Sequence, residues 1–128
     1  MPSTRVETTK GWLGDRRAHF LEAIQQALVE GIRIPEHDRD IRLTEHDPAN
    51  ILLPADISPR RTIIEITLFA GRSIEAKRRL YAALASGLAP FGLEPREIKV
   101  VLIEVERENW GLRGLPASEI ELGFKVDV

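Results

Sequence analysis

The second residue of the chain is a proline, and a β-prone segment, 4–8, follows it directly. Methionine is commonly removed from a Met-Pro start, and its removal leaves Pro2 as a terminal secondary amine. An α-amino group titrates at about pH 7.7 to 8.0 in peptides, and burial lowers the pKa of an ammonium. A buried terminal proline can therefore act as a general base or a nucleophile at neutral pH. The alternatives are a proline that only stiffens an exposed end, or a retained Met1 that makes its nitrogen a non-basic amide.

The composition limits the chemistry that the chain can carry. Its 128 residues, of which 43% are hydrophobic, suit one domain with a sizeable core. The formal net charge of −2 favours neither nucleic acid nor an anionic membrane as a partner. The absence of cysteine excludes disulfides, thiolate nucleophiles and zinc–thiolate sites. No apolar run is long enough to span a membrane and no leader pattern opens the chain, so we expect a soluble cytoplasmic domain.

The chain repeats itself at an offset of 60 residues, and no gap is needed to hold the register. The paired positions include Gly11 with Gly71, Phe20 with Leu80, Ile24 with Leu84, Leu28 with Leu88, Pro35 with Pro95 and Ile41 with Val101. Such a period indicates two copies of one structural unit. Within a single domain, 1–128, we predict unit one at about 2–46, a linker at about 47–61, unit two at about 62–106 and a C-terminal arm at about 107–128.

Each unit has the pattern of a strand, a helix and a second strand. The predicted strands are 4–8, 40–45, 62–69 and 98–106. The first helix begins near Asp15, and the second is capped by Ser73. The predicted apolar faces comprise Leu21, Ile24, Leu28 and Ile32 in the first helix, and Tyr81, Leu84, Leu88 and Phe91 in the second.

Connections of helix length imply parallel pairing within each unit and right-handed crossovers. The predicted fold class is therefore α/β (α+β), with two consecutive β-α-β units that form a four-stranded mixed sheet and two helices on one face. The opposite face has no cover from this chain, which favours self-association. Residues 120–126 alternate apolar and polar side chains, so they predict a further strand that pairs with the sheet edge of a neighbouring subunit.

Three sequence blocks and Pro2 resemble the tautomerase superfamily, whose members are pairs of β-α-β units with an amino-terminal proline as base. The blocks are 34–48, which contains Glu36-His37-Asp38-Arg39; 66–77, which contains Gly71-Arg72-Ser73; and 104–111, which contains Glu108-Asn109-Trp110-Gly111. With the helices between them they span nearly the whole chain. The fused branch that includes malonate semialdehyde decarboxylase is the most similar. The resemblance implies a homotrimer with its active site around Pro2.

The resemblance also implies roles for residues at matching positions. Asp38 falls where the decarboxylase branch has an aspartate close to the proline, Arg72 on its carboxylate-binding arginine, and Trp110 on an aromatic residue of the pocket wall. At two positions the chain departs from the pattern, since Ala70 replaces a second arginine of the decarboxylase and Trp12 replaces an arginine of small tautomerases. Loss of half an arginine pair weakens carboxylate binding, which favours proton transfer over decarboxylation. Trp12 is predicted to narrow or line the pocket, although either tryptophan also suits packing.

The leading hypothesis is a cofactor-independent tautomerase or isomerase, in which Pro2 moves a proton on a small 2-oxo or enol acid and Arg72 holds its carboxylate. One alternative is hydration or decarboxylation of a 3-oxo acid, with Asp38 activating water; a purely local turn role for Asp38 is equally compatible with the sequence. Another is a non-catalytic trimeric binding or structural protein. His37 and His46 match no metal motif, so neither a metal nor another cofactor is expected.

Overall fold

The two sequence repeats fold as two strand–helix–strand units. The computed structural model describes residues 1–126 and 128. Its principal elements are β1 (Ser3–Thr9), α1 (Arg17–Ile32), β2 (Ile41–His46), β3 (Thr62–Phe69), α2 (Ile74–Leu88) and β4 (Ile98–Val105). Two short strands, β5 (Gly111–Leu112) and β6 (Leu115–Pro116), pair as a hairpin after the second unit. An offset of 60 residues aligns β1 with β3, α1 with α2, and β2 with β4 to within a few residues.

The four long strands form one mixed sheet in the order β2-β1-β3-β4. β1 pairs in parallel with β2, and β3 in parallel with β4, because a helix crosses over between the strands of each unit. The units join through β1 and β3, which are antiparallel and place Val6 opposite Ile64. Both helices pack on the same face and share one apolar core with the sheet. The predicted fold class is confirmed.

Each helix packs an apolar stripe on the sheet, and each stripe begins one residue earlier than predicted. Phe20 and Leu80 are fully buried, whereas Leu21 is half-buried and Tyr81 is 40% exposed. The buried positions recur every four residues, at 20, 24, 28 and 32 in α1 and at 80, 84 and 88 in α2. Such positions share one helix face. Leu21 and Tyr81 therefore flank the stripes and do not belong to them.

Capping residues end the helices, and a glycine allows the two helices to approach closely. The Ser73 hydroxyl accepts a 3.1 Å hydrogen bond from the Ala76 N–H, which confirms Ser73 as the cap of α2. α1 ends at Ile32, and the next residue, Arg33, caps it in the left-handed conformation with φ 61°. Where the helices cross, a Cβ atom on Gly31 would lie 2.5 Å from the Leu80 Cα. The approach of the two helices therefore requires glycine at residue 31.

The sheet face opposite the helices is left uncovered by the described residues, and part of it is apolar. Val101 and Ile103 lie there on β4 and are 42% and 43% exposed. Contrary to the predicted strand, residues 120–126 have irregular backbone and return to their own chain, because Val126 packs over Gly71 in an apolar cluster. Pairing of this segment with a neighbouring subunit stays a prediction.

Candidate active site

Three separate parts of the chain meet at the end of the sheet where β1 begins. The loop before β2 lies there because β2 runs parallel to β1. The turn after β3 lies there because β3 runs antiparallel to β1, so that Ser3 pairs with Thr67. The loop carries Asp38, the turn carries Arg72, and β1 itself is preceded by Pro2. Strand direction thus brings three of the predicted site residues to one corner of the molecule.

The terminal amine forms an ion pair with Asp38. The Met1 amine nitrogen lies 3.1 Å from Asp38 Oδ2, and the Asp38 side chain is only 15% exposed. Pro2, the next residue, is buried. The pKa of the Met1 amine is lowered from its ordinary value, chiefly because burial disfavours the ammonium; Asp38 opposes this effect, and the positive charge of Arg72 adds to it. The site therefore favours the neutral amine more than water does.

Arg72 supplies a buried positive charge to this corner. It follows Gly71, which adopts φ +121°, and precedes the Ser73 cap of α2. It is 6% exposed, and its Nη1 donates a 2.7 Å hydrogen bond to the Ile32 carbonyl at the end of α1. Burial lowers the pKa of Arg72 from its ordinary value, but a guanidinium keeps its charge in a protein. Within the described part of the chain its buried Nε has no hydrogen-bond partner.

An apolar cluster packs against the Met1 side chain at this corner. Phe69 and Trp110 contact edge to face, with ring centroids 4.9 Å apart. Phe69 and Val126 are buried in the cluster, and the Met1 side chain packs against it. Trp110 reaches this position because a short 3-10 turn, Arg107–Asn109, follows β4 at the same end of the sheet. The structure thus places Trp110 in the cluster next to Met1, and its role as a residue of the pocket wall stays a prediction.

Trp12 lies at the other end of β1, away from the terminal amine. Its indole Nε1 donates to Thr8 Oγ1 at 3.0 Å, and its ring packs edge to face against Phe20 at 5.5 Å. Arg72, its partner in the repeat, occupies the opposite end because the two units join through antiparallel strands. Within one chain the structure does not bring Trp12 to the site, and its role in substrate binding stays a prediction.

The far end of β1 also has a cavity of about 230 Å³, which none of the predicted site residues lines. The cavity is lined by Glu7, Thr8, His46, Asn50, Ile51, Leu52, Arg61 and Ile63. His46 Nε2 lies 3.6 Å from Glu7 Oε1 there. Over residues 1–126 and 128, no three histidine or acidic side chains are grouped to hold a metal ion. No helix in that same part of the chain is both long and apolar enough to cross a membrane.

Gln25 holds the loop that carries Asp38, and the sequence pattern did not reveal it. It is 1% exposed, and its Nε2 donates to the carbonyls of Asp38 at 3.0 Å and Glu36 at 3.4 Å. The Asp38 N–H donates to the Pro35 carbonyl at 3.0 Å, so Asp38 makes a turn hydrogen bond and an amine contact at once. The sequence did contain a signal for this role, because Gln25 directly follows Ile24 on the apolar side of α1. A polar side chain buried there requires hydrogen-bond partners.

Comparison with known proteins agrees with this arrangement. A family model described as "Tautomerase enzyme" matches residues 38–113, more than half of the chain. The chain belongs to the tautomerase family. It is also similar to a probable tautomerase from Ralstonia nicotianae, with 35% identity over 57 residues, which are 44% of this chain and 81% of that protein.

Two solved structures share the fold over most of this tautomerase. The first is FG41 malonate semialdehyde decarboxylase inhibited by 3-bromopropiolate, with a TM-score of 0.77 and 33% identity over 85% of this chain and 87% of that one. The second is R7 fused 4-OT, an asymmetric trimer, with a TM-score of 0.82 and 26% identity over 91% and 97% of the two chains. The resemblance to the fused branch of the superfamily is confirmed, and this tautomerase is an enzyme.

Proposed function

We propose that this tautomerase moves a proton on a small 2-oxo or enol acid, without a cofactor and with Pro2 as general base. The observation that carries the proposal is the terminal amine, which lies 3.1 Å from Asp38 Oδ2 and whose pKa is lowered by burial. In the chain that begins with Met1, this amine belongs to Met1. Removal of Met1 makes the Pro2 nitrogen the terminal amine, and Pro2 is buried at the same corner.

The mechanism assigns a separate task to each group. Neutral Pro2 removes a proton from the carbon next to the substrate carbonyl, and the electron pair of that bond forms an enolate. Protonated Pro2 then gives the proton to the enolate oxygen, which forms the enol, or to the far carbon of a conjugated enolate, and either transfer restores the free amine. Ketonisation of an enol follows the first route in reverse, so that Pro2 takes the hydroxyl proton and gives it to carbon. Arg72 holds the substrate carboxylate and orients the reacting carbons. Asp38 stabilises protonated Pro2 between the two transfers, because a nearby carboxylate favours an ammonium.

A second candidate reaction is the hydration or decarboxylation of a 3-oxo acid, with Asp38 activating water. Similarity to the FG41 malonate semialdehyde decarboxylase favours it. Ala70 weakens this candidate, since it leaves Arg72 without a second arginine nearby in the sequence. Proton NMR of the protein with malonate semialdehyde tests it, because decarboxylation yields acetaldehyde and Asp38→Asn should abolish that product.

We infer that the enzyme is a homotrimer. The open sheet face, with Val101 and Ile103 more than 40% exposed, supplies an apolar surface that association would bury. The R7 and F6 fused 4-OT structures, at 26% and 25% identity, are trimers. Light scattering on protein that elutes from a sizing column should give three times the mass of one chain. The Val101→Lys variant should give a lower mass. A monomeric wild-type protein would contradict the inference.

The Pro2 mechanism is tested by comparing two variants with the wild-type protein from which Met1 has been removed, here called the processed chain. Intact mass first shows whether the purified chain begins at Met1 or at Pro2. Pro2→Ala should lower the rate of phenylpyruvate ketonisation by roughly a hundredfold or more. Lys10→Ala, in an exposed turn at the far end of β1, should match the wild type. Equal rates for wild type and Pro2→Ala would refute the proposal. Labelling by 3-bromopropiolate should add one adduct at Pro2 in the processed chain.

A further inference from the structure

The cavity at the far end of β1 occupies the place in unit two that the terminal amine occupies in unit one. Near the amine, Ser3 lies opposite Thr67. In the cavity, Ile63 lies opposite Glu7. The repeat of 60 residues matches Ser3 with Ile63. The same repeat matches Glu7 with Thr67. An approximate twofold axis between β1 and β3 therefore relates the two ends of the sheet.

Other lining residues of the cavity follow the same relation. Arg61 matches Met1, and Asn50 matches Trp110 of the apolar cluster that packs against Met1. Thr62 takes the place of the terminal proline, but its nitrogen is part of a peptide bond inside the chain. The cavity thus keeps the position of the amine corner and lacks a terminal amine that could move a proton.

The cavity brings together two opposite charges that do not pair with each other. Glu7 and Arg61 both line it, and among the described residues the basic group that contacts Glu7 is His46, at 3.6 Å. Glu7 lies opposite Ile63, and Arg61 precedes Ile63 by two residues, so the two charged residues are diagonal neighbours on one face of the sheet. Such positions are about 7–8 Å apart. This separation leaves room for a ligand that carries one positive and one negative group.

The volume and the remaining lining of the cavity restrict the ligand further. The volume of about 230 Å³ equals that of roughly eight water molecules at about 30 Å³ each. Ile51, Leu52 and Ile63 supply apolar side chains. The cavity therefore suits a small molecule with two charged groups and a short apolar chain.

We propose that this cavity is a non-catalytic binding site for a small zwitterionic α-amino acid with an aliphatic side chain, such as leucine. Arg61 binds the carboxylate and Glu7 binds the ammonium group. The aliphatic chain packs against Ile51 and Ile63. A ligand with a single charge leaves one of the two protein charges without a partner in the occupied cavity, which weakens its binding. The site goes beyond the proposed function and does not depend on Pro2 as a base.

Titration of the wild-type protein with L-leucine, followed by NMR of the backbone amides, tests the site. The amide signals of residues 50–52 and 61–63 should shift and reach saturation. 4-Methylpentanoate lacks the ammonium group and 3-methylbutylamine lacks the carboxylate, so each should bind at least about tenfold more weakly. The absence of a saturable shift at these residues would overturn the site. Equal affinity for L-leucine and 4-methylpentanoate would overturn the assignment of a zwitterion.

Three variants locate the binding on the protein. Arg61→Met and Glu7→Gln should each weaken L-leucine binding at least about tenfold, with melting temperatures close to that of wild type. Arg5→Met is the matched control, because Arg5 lies on the same face of β1 as Glu7 and does not line the cavity; it should bind within about twofold of wild type. Wild-type affinity in Arg61→Met or in Glu7→Gln would overturn the proposal.

The Pro2→Ala variant separates this site from the proposed catalytic corner. It should bind L-leucine as wild type does, because Pro2 lies at the other end of β1. Loss of L-leucine binding in Pro2→Ala would place the amino acid at the catalytic corner and overturn the second site. Loss of ketonisation in Pro2→Ala with intact L-leucine binding would support both proposals. Full ketonisation with intact L-leucine binding would refute the base alone.

Discussion

Replacement of Gly31 by alanine is expected to destabilise the protein and to disturb the site. Gly31 lies in α1 directly before Ile32, whose carbonyl accepts the hydrogen bond from Arg72. A Cβ atom at residue 31 would lie 2.5 Å from the Leu80 Cα, whereas ordinary contact begins near 3.4 Å. The helices must therefore separate by about 0.9 Å, the difference between these two distances.

The expected loss in the free energy of unfolding is about 1–2 kcal/mol. Overpacking of a filled core costs about 1–3 kcal/mol, and the better helix propensity of alanine offsets up to about 1 kcal/mol. For a chain of this size the melting temperature should fall by roughly 3–10 °C. The same separation moves the Ile32 carbonyl away from Arg72, and displacement of a binding group by 1 Å can cost a factor of about 100 in rate. We expect kcat/KM for phenylpyruvate to fall tenfold or more.

Gly87→Ala is the matched control, because Gly87 lies in α2 and has room for a methyl group. Its added Cβ would be 3.6 Å from the Ala23 carbonyl oxygen, an ordinary contact. This variant should be more stable than wild type by up to about 1 kcal/mol. Urea unfolding, monitored by circular dichroism, measures the change in stability. The ketonisation assay measures the change in kcat/KM. Equal stability of Gly31→Ala and Gly87→Ala would refute the packing argument, and an unchanged kcat/KM in Gly31→Ala would refute the link to Arg72.

Three further predictions concern the amine and its loop. Asp38→Asn should lower the amine pKa further, since this carboxylate raises it, and the acidic limb of the kcat/KM profile should move to lower pH; an unmoved limb would contradict this. Gln25→Leu should cost about 1–3 kcal/mol in urea unfolding and slow labelling by 3-bromopropiolate, because two loop carbonyls lose their donor; wild-type labelling would count against it. In the chain that keeps Met1, the folded amine pKa lies below the unfolded value of 8.0, so the unfolded chain binds more protons between these two values. Stability should therefore rise with pH through that window and level off above about 8, and amino-terminal acetylation should remove the rise.

The sequence by itself determined the fold class and the local features of the site. Two copies of one periodic pattern specify the same unit twice, and a helix between strands requires parallel pairing. The Ser73 cap and the position of Arg72 after a turn glycine depend only on neighbours in the chain. The helix stripes were one residue off, because adjacent apolar residues, such as Phe20 and Leu21, carry equal local signals and only packing on the sheet decides which turns inward.

The tertiary structure alone decided which residues share the site. Asp38 and Arg72 meet at the terminal amine because β2 is parallel and β3 antiparallel to β1. Trp12 occupies the same place in its unit as Arg72, and the same antiparallel join sends it to the far end of the sheet. The hydrogen bond from Gln25 to the Asp38 carbonyl and the packing of Val126 against the apolar cluster likewise join residues that are distant in sequence. Local propensity acts between neighbours in sequence, whereas these contacts depend on strand direction and on which surfaces are buried together.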